Sequence, residues 1–308
     1  MSKYVIKRLL QFIPVFLGAT FLIYAAVWAL PGDPIARVAG QNPLPPSVVA
    51  AIRVKYHLDE PLLTQYGYYL SAILQGDMGV DFNDRSVSTL IGRAIPTTFQ
   101  LGITAWGLEV LIGIPMGIWL GLRAGKWDDY LGRLTTVILM SVPTFVVAFA
   151  AQMIIGVHLK WLPVAGTRDG WPVSYILPAV VLTLPGLAYT TRLMRASIAE
   201  TLRADFVTTA VAKGLPRRVV TIKHVLRNSL IPVVTSLGLS LAGIMAGTVI
   251  IEGIFNMPGI GLLIYDSIQK QNGPVVVGVS TFLILLFLLV NLLVDLFYAV
   301  LDPRIRLE

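Results

Sequence analysis

Long apolar runs, most of them about twenty residues from end to end, constrain this chain more than any other feature. The first is the uncharged stretch 9–30, and others follow at 99–122, 134–157, 175–191, 230–252 and 275–301. A helix of that length crosses the roughly 30 Å of hydrocarbon in a bilayer. It also satisfies its backbone N–H and C=O groups internally, as lipid demands. Six transmembrane helices and an all-α membrane protein are therefore expected. Only 13% of the 308 residues are charged and 56% are hydrophobic, which excludes an ordinary soluble domain. Lys3, Lys7 and Arg8 ahead of the first run would also suit a signal peptide. The run is about twice a typical signal core and lacks a small-residue cleavage site, so a retained helix is expected, with Pro14 a tolerated kink near its start.

Between the first two runs, residues 31–98 are polar and hold Pro31, Pro34, Pro43, Pro45, Pro46 and Pro61. Ser47 can cap a short helix through Tyr56. Leu62, Tyr66, Tyr69, Leu70, Ile73 and Leu74 share one face of a second helix, which Gly76 can end. Two readings fit that helix: it lies along the membrane surface with Tyr66, Tyr68 and Tyr69 at headgroup level, or it is a platform for an extracytoplasmic partner. The chain thus divides into an N-terminus and first span (1–30), an extracytoplasmic segment (31–98), a core of five spans (99–301) and a tail (302–308). The run 175–191 is short and carries Pro178 and Pro185, tolerated only where protein or water satisfies the freed backbone groups. Gly243 and Gly247, spaced G-xxx-G, can admit a close helix neighbour.

A net charge of +7 would suit nucleic acid, but its placement speaks for topology. With the N-terminus inside, inner segments hold 16 of the 24 Lys and Arg residues and outer segments hold 8. That bias puts both termini and a basic stretch at 192–229 in the cytoplasm. Nucleic acid drops out of the expected partners, and membrane lipid stays.

Reactive groups are scarce. The absence of cysteine excludes disulfides, thiolate metal sites and cysteine nucleophiles. No G-x-x-x-x-G-K-[ST] phosphate loop exists, since Gly125-Lys126 is followed by Trp127 and lacks the earlier glycine. His57, His158 and His224 sit in three separate segments, without metal-ligand spacing. The expectation is a chain that is not an enzyme and holds no metal or cofactor of its own. Two acids lie within spans. Glu109 sits near the middle of the second, where a charge costs roughly 2.5–3.5 kcal/mol on insertion. It either lines a permeation path or relays a proton, or it is a buried, hydrogen-bonded residue that fixes helix packing. Asp295, in the last span, has the same two readings, the structural one being a pairing with a loop arginine.

The basic stretch has the most specific local grammar. Residues 200–213 are good or neutral helix formers, Gly214 supplies the left-handed residue that closes a helix, and Pro216 pre-sets the start of the next. Leu202, Phe206, Thr209, Ala210 and Lys213 recur at helical spacing, giving a mildly apolar, small-residue face that lets a partner backbone come close. Thr208-Thr209-Ala210, then Gly214, then Leu230-Ile231-Pro232 resemble the EAA loop of ABC importer permeases. Thr208 and Thr209 replace the Glu and first Ala of the generic pattern, and the distance from Gly214 to Pro232 is longer. Both departures are usual in the branch that imports di- and oligopeptides. Lys7-Arg8-Leu9-Leu10, Pro31-Gly32-Asp33-Pro34, Leu58-Asp59-Glu60-Pro61, Gly76-Asp77-Met78-Gly79, Glu252-Gly253-Ile254-Phe255-Asn256-Met257-Pro258-Gly259-Ile260-Gly261 and Asp302-Pro303-Arg304 are also similar to that branch's short motifs, in order, across nearly the whole chain.

The resemblance implies a type I ABC importer (MetI-like) permease core with an extracytoplasmic helical insertion after the first helix, in a prokaryotic cell membrane. It implies half of a heterodimeric pore built with a second homologous permease. Two cytoplasmic ATPase domains would hold ATP and Mg, and an extracytoplasmic binding protein would deliver a peptide substrate. The loop, with Leu202, Phe206, Thr208, Thr209, Ala210, Lys213, Gly214 and Pro216, would couple this chain to the ATPase. Related permeases serve nickel, glutathione or haem systems. An ion-coupled secondary transporter is the competing class; it would use Glu109 or Asp295 for proton coupling and would need no ATPase.

Overall fold

The computed structural model describes residues 2–28, 45–82 and 84–301. In chain order the helices are α1 (Ser2–Trp28), α2 (Pro46–Lys55), α3 (Leu62–Leu74), α4 (Val87–Leu122), α5 (Trp127–Ser141), α6 (Thr144–His158), α7 (Val173–Thr201), α8 (Asp205–Ala212), α9 (Arg227–Ile254), α10 (Ile260–Gln269) and α11 (Gly273–Leu301). A single turn at Arg217–Val219 and a π-helical stretch at Val220–Leu226 lead into α9. Among the described residues there is no β-strand, only an isolated bridge between Val80 and Ser86. Four helices there are long and apolar enough to cross a membrane, Arg8–Trp28, Val87–Leu122, Val173–Thr201 and Gly273–Leu293, and α5 with α6 makes a fifth if the pair is one span. The motifs at 31–34 and 302–304 lie outside the described residues, as do the side chain of Asp295 and the surroundings of Gly247.

The run expected as one span at 134–157 is broken. α5 stops at Ser141, Val142 is extended (φ −88°, ψ 124°), and α6 leaves from Pro143 at 94° to α5. A proline holds the residue before it out of the helical region and has no N–H to continue the ladder. Hydropathy misses the break because both sides of it are apolar. Two other helices outrun their apolar stretches. α4 begins at Val87 rather than 99 because Val87, Ile91 and Ala94 bury one face of its first turns. α7 passes through Pro178 and Pro185 and continues to Thr201, since Arg192 and Arg195 end the hydropathy without ending the helix.

Residues up to Thr97 and from Pro258 onward form one compact unit, and Thr98–Met257 form another. In the first unit, α3 turns its tyrosines inward. The Tyr66 hydroxyl lies 2.8 Å from Thr20 Oγ1 and donates to the Leu17 carbonyl at 2.9 Å, while the Tyr69 hydroxyl is 2.6 Å from Thr281 Oγ1 on α11. This face therefore meets α1 and α11 rather than headgroups, with its ring hydroxyls partnered as buried tyrosines require. Of the three tyrosines only Tyr68 is exposed. α1 and α11 also touch directly: a Cβ on Gly273 would come within 2.9 Å of Val27 Cγ1. α2 starts from Pro45 and Pro46, with no side-chain cap from Ser47, because a proline's fixed φ already suits the first turn. Beyond α2, Tyr56 donates to the Val80 carbonyl at 3.0 Å; burial, then Asp81 and Asp84, push its hydroxyl up to about 12, so it remains a donor at neutral pH.

In the second unit α7 is the central strut. Gly113, Gly117 and Gly121 on α4 form a seam against it. A Cβ at Gly117 would fall 2.5 Å from Met194 Cβ and 2.7 Å from the Thr191 carbonyl oxygen, and one at Gly121 would fall 2.8 Å from Ile198 Cβ. The close approach of α4 to α7 is thus made by these three glycines. Gly243 on α9, expected to admit a neighbour, has nothing within 4 Å of its Cβ position.

Candidate functional site

The basic stretch folds as a tight hairpin hung from α7. α7 ends at Thr201, Leu202 caps it, and α8 starts at Asp205 after an extended Ala204. The break falls within the helix expected over 200–213. α8 closes as a Schellman motif: the Gly214 N–H donates to the Val211 carbonyl at 2.9 Å and the Leu215 N–H to the Ala210 carbonyl at 3.3 Å. Gly214 takes φ +77°, a left-handed conformation that costs other residues about 1–2 kcal/mol. Pro216, at φ −57°, then caps the turn that begins at Arg217. Two serines close the base. Ser197 Oγ donates to the Ser229 carbonyl at 3.0 Å, and Ser229 Oγ reaches the Ser197 carbonyl at 3.2 Å and Thr201 Oγ1 at 3.0 Å.

The sequence-derived face splits once the start of α8 is known. Ala210 is buried together with Val207 against Met194, Ile198, Val220, Val225 and Leu237, so its methyl faces the chain's own core. Leu202 is exposed but belongs to the end of α7, not to α8. Phe206, Thr208, Thr209 and Lys213 are exposed, as are Gly214 and Pro216. Val211, unmarked in the sequence, is 55% exposed beside Phe206 at 45%. The Thr209 hydroxyl donates back to the Asp205 carbonyl at 2.9 Å, which leaves its methyl as the outward surface.

Glu109 opens a π-helical turn, Glu109–Gly113, in α4. Pro115 follows at the start of the next α-helical segment, where it has no N–H to give and its ring presses on the preceding turn; the widened turn accommodates both. The carboxylate is fully buried. It accepts from Thr190 Oγ1 of α7 at 2.6 Å and from Ser240 Oγ of α9 at 3.1 Å, so three helices meet on it. Gly186 makes the room, since a Cβ there would lie 2.7 Å from Glu109 Oε2. A cavity of about 420 Å³ adjoins the junction, lined by Glu109, Ser240, Pro185, Gly243 and Phe145 among others. Glu109→Leu is expected to cost about 1–3 kcal/mol by stranding the Thr190 hydroxyl, while Ser240 keeps the Leu237 carbonyl at 3.0 Å, and Glu109→Gln much less, since an amide oxygen still accepts. Thermal unfolding in detergent checks this; equal losses would show that charge rather than hydrogen bonding holds the junction. A second buried carboxylate escaped the sequence reading: Glu252, at the end of α9, accepts from Thr98 Oγ1 at 2.7 Å. Its signal was its place at the head of the Glu252–Gly261 motif.

Four helices long and apolar enough to cross a membrane, and an exposed hairpin between α7 and α9, are the architecture of a multi-spanning membrane protein. Similarity narrows the class. Residues 113–307 match the family model described as binding-protein-dependent transport system inner membrane component, and residues 1–102 match its N-terminal companion, so the chain belongs to that family. It is 37% identical over 309 residues to the oligopeptide transport system permease protein OppB of Haemophilus influenzae, covering 99% of this chain and 100% of that one. It is 38% identical over 307 residues to the glutathione transport system permease protein GsiC of Pectobacterium atrosepticum, 99% of each. It is 35% identical over 310 residues to the dipeptide transport system permease protein DppB of Bacillus subtilis, 100% of this chain and 99% of that one. Among solved structures, a crystal structure of an amino acid ABC transporter with histidines aligns with a TM-score of 0.52 at 14% identity, over 68% of this chain and 93% of that one. That likeness bears on the fold alone.

Proposed function

We propose that this chain is the permease half of an ATP-driven importer that takes di- or oligopeptides from an extracytoplasmic binding protein. Similarity over the full length to permeases named for oligopeptides, dipeptides and glutathione carries the cargo class, and glutathione is itself a tripeptide. The chain crosses the membrane six times with both termini in the cytoplasm, as the Lys and Arg bias favours. Residues 31–98 then lie outside, and a second homologous permease completes the pore. The chain has no phosphate loop, so ATP and Mg belong to two partner ATPase domains. The hairpin is where they would dock: Phe206, Thr208, Thr209, Val211 and Lys213 stand exposed on a helix whose direction Gly214 and Pro216 fix. Hot spots of this kind are anchored by an aromatic in a partner groove, and Phe206 is that anchor. Glu109 in this reading sets the packing of α4, α7 and α9 beside the pathway. Affinity purification of the tagged chain in mild detergent is expected to recover an ATPase and a second permease. Recovery of neither would overturn the proposal.

A further inference from the structure

We propose that Asp129 is a positioning residue that fixes the register of α7 against the turn joining α4 to α5, so that movement of the hairpin reaches α4. Resting on the reading that the hairpin docks an ATPase, the inference adds residues outside the hairpin to the drive.

Asp129 is fully buried near the start of α5. The guanidinium of Arg195 on α7 grips it with two prongs, Nε to Oδ1 at 2.8 Å and Nη2 to Oδ2 at 2.6 Å. The N–H of Gly125 donates to Oδ2 at 2.9 Å, and Gly125 sits at φ +83°, a conformation glycine adopts without strain. Arg133 lies farther off, its Nε 3.7 Å from Oδ1. One carboxylate thus joins α5, the turn before it and α7. Arg195 is six residues before the end of α7, within the hairpin-side half of the stretch that the glycine seam meets.

A buried ion pair is weak evidence of stability, because desolvation offsets most of the attraction. Its two-pronged geometry is what an apolar contact cannot reproduce. The glycine seam explains the need. Gly113, Gly117 and Gly121 bring α4 close to α7 but present no side chains to interlock, so they give proximity without a firm stop along the axis. Polar ties along the contact supply the register. Thr190 donates to Glu109 and Thr191 to the Gly113 carbonyl, and the two-pronged pair of Asp129 with Arg195 follows, about 7.5 Å beyond Thr190 along α7. Without that pair, a push on the hairpin would shift the end of α7 past α4 instead of carrying α4 with it.

The test uses the complete importer in lipid nanodiscs, with its binding protein purified from cells with bound cargo. Asp129→Asn and Arg195→Lys are compared with wild type, and Arg133→Gln serves as control. Arg195→Lys keeps the charge and loses the fork. Both variants are expected to retain the ATPase on purification, to lose about tenfold in ATP hydrolysis stimulated by the binding protein, and to hydrolyse more ATP per cargo molecule in proteoliposomes. Arg133→Gln should match wild type. Unchanged stimulation and stoichiometry in Arg195→Lys would overturn the inference. So would a loss that merely tracks the amount of assembled complex, which marks a folding role; if Asp129→Asn fails to assemble, Arg195→Lys alone decides. A wild-type preparation without ATPase would overturn the docking reading itself, and this inference with it.

Discussion

Replacing Gly214 by proline is expected to leave the chain in the membrane while abolishing ATP hydrolysis stimulated by the loaded binding protein. Proline holds φ near −65°, whereas Gly214 sits at +77°, and it would delete the N–H that closes α8 on Val211 at 2.9 Å. The combined penalty is about 3 kcal/mol or more, and it falls entirely on the hairpin. Gly214→Ala separates the two causes. Nothing lies within 4 Å of its Cβ position, so it bears only the left-handed penalty of about 1–2 kcal/mol and should retain part of the stimulation. Thr209→Trp approaches the same surface from outside: Thr209 is exposed, so the ring meets no interior atom and should block docking without unfolding α8. Wild-type stimulation in both Gly214→Pro and Thr209→Trp would place the docking surface elsewhere.

Gly117→Leu should have the largest effect on the amount of folded protein. Its first added carbon would lie 2.5 Å from Met194 Cβ and 2.7 Å from a backbone oxygen of α7, neither of which is the free end of a side chain. Overpacking ordinarily costs about 1–3 kcal/mol, and here a whole side chain must fit where a methyl cannot. Size-exclusion of the detergent-solubilised protein should show little or no monodisperse material. Gly243→Leu, with open space at its Cβ position, should run as wild type. Equal recovery of both variants would show that the seam is not where α4 and α7 meet.

What the sequence made legible was local. Apolar runs announced the long helices because lipid imposes a length, and Gly214 announced a turn because its φ must be left-handed. Partners distant in the chain were hidden. Asp129 and Arg195 are 66 residues apart, and nothing in either neighbourhood points to the other. Gly113, Gly117 and Gly121 share the four-residue spacing of Gly243 and Gly247, and spacing does not say which helix arrives. Helical spacing groups Ala210 with Phe206 but does not say which side the core takes: Val207 and Ala210 pack with Met194 and Ile198, and the break before Asp205 separates Leu202 from the face. The break at Pro143 was lost because a proline between two apolar halves reads as tolerated until the backbone is seen.

The contact of α1 with α11 sets an order on synthesis. Every residue of the Thr98–Met257 unit is synthesised before α11 begins, so that unit does not need α11 in order to close. The other unit begins with the first helix and waits for the last. At ordinary elongation rates that wait is on the order of tens of seconds. Through it α1 stands in lipid with Tyr24 and the tyrosines of α3 short of their final neighbour. A chain that ends before residue 273 and has been released from the ribosome should therefore present α1 and α3 to the membrane's chaperones and proteases, with the middle of the protein folded.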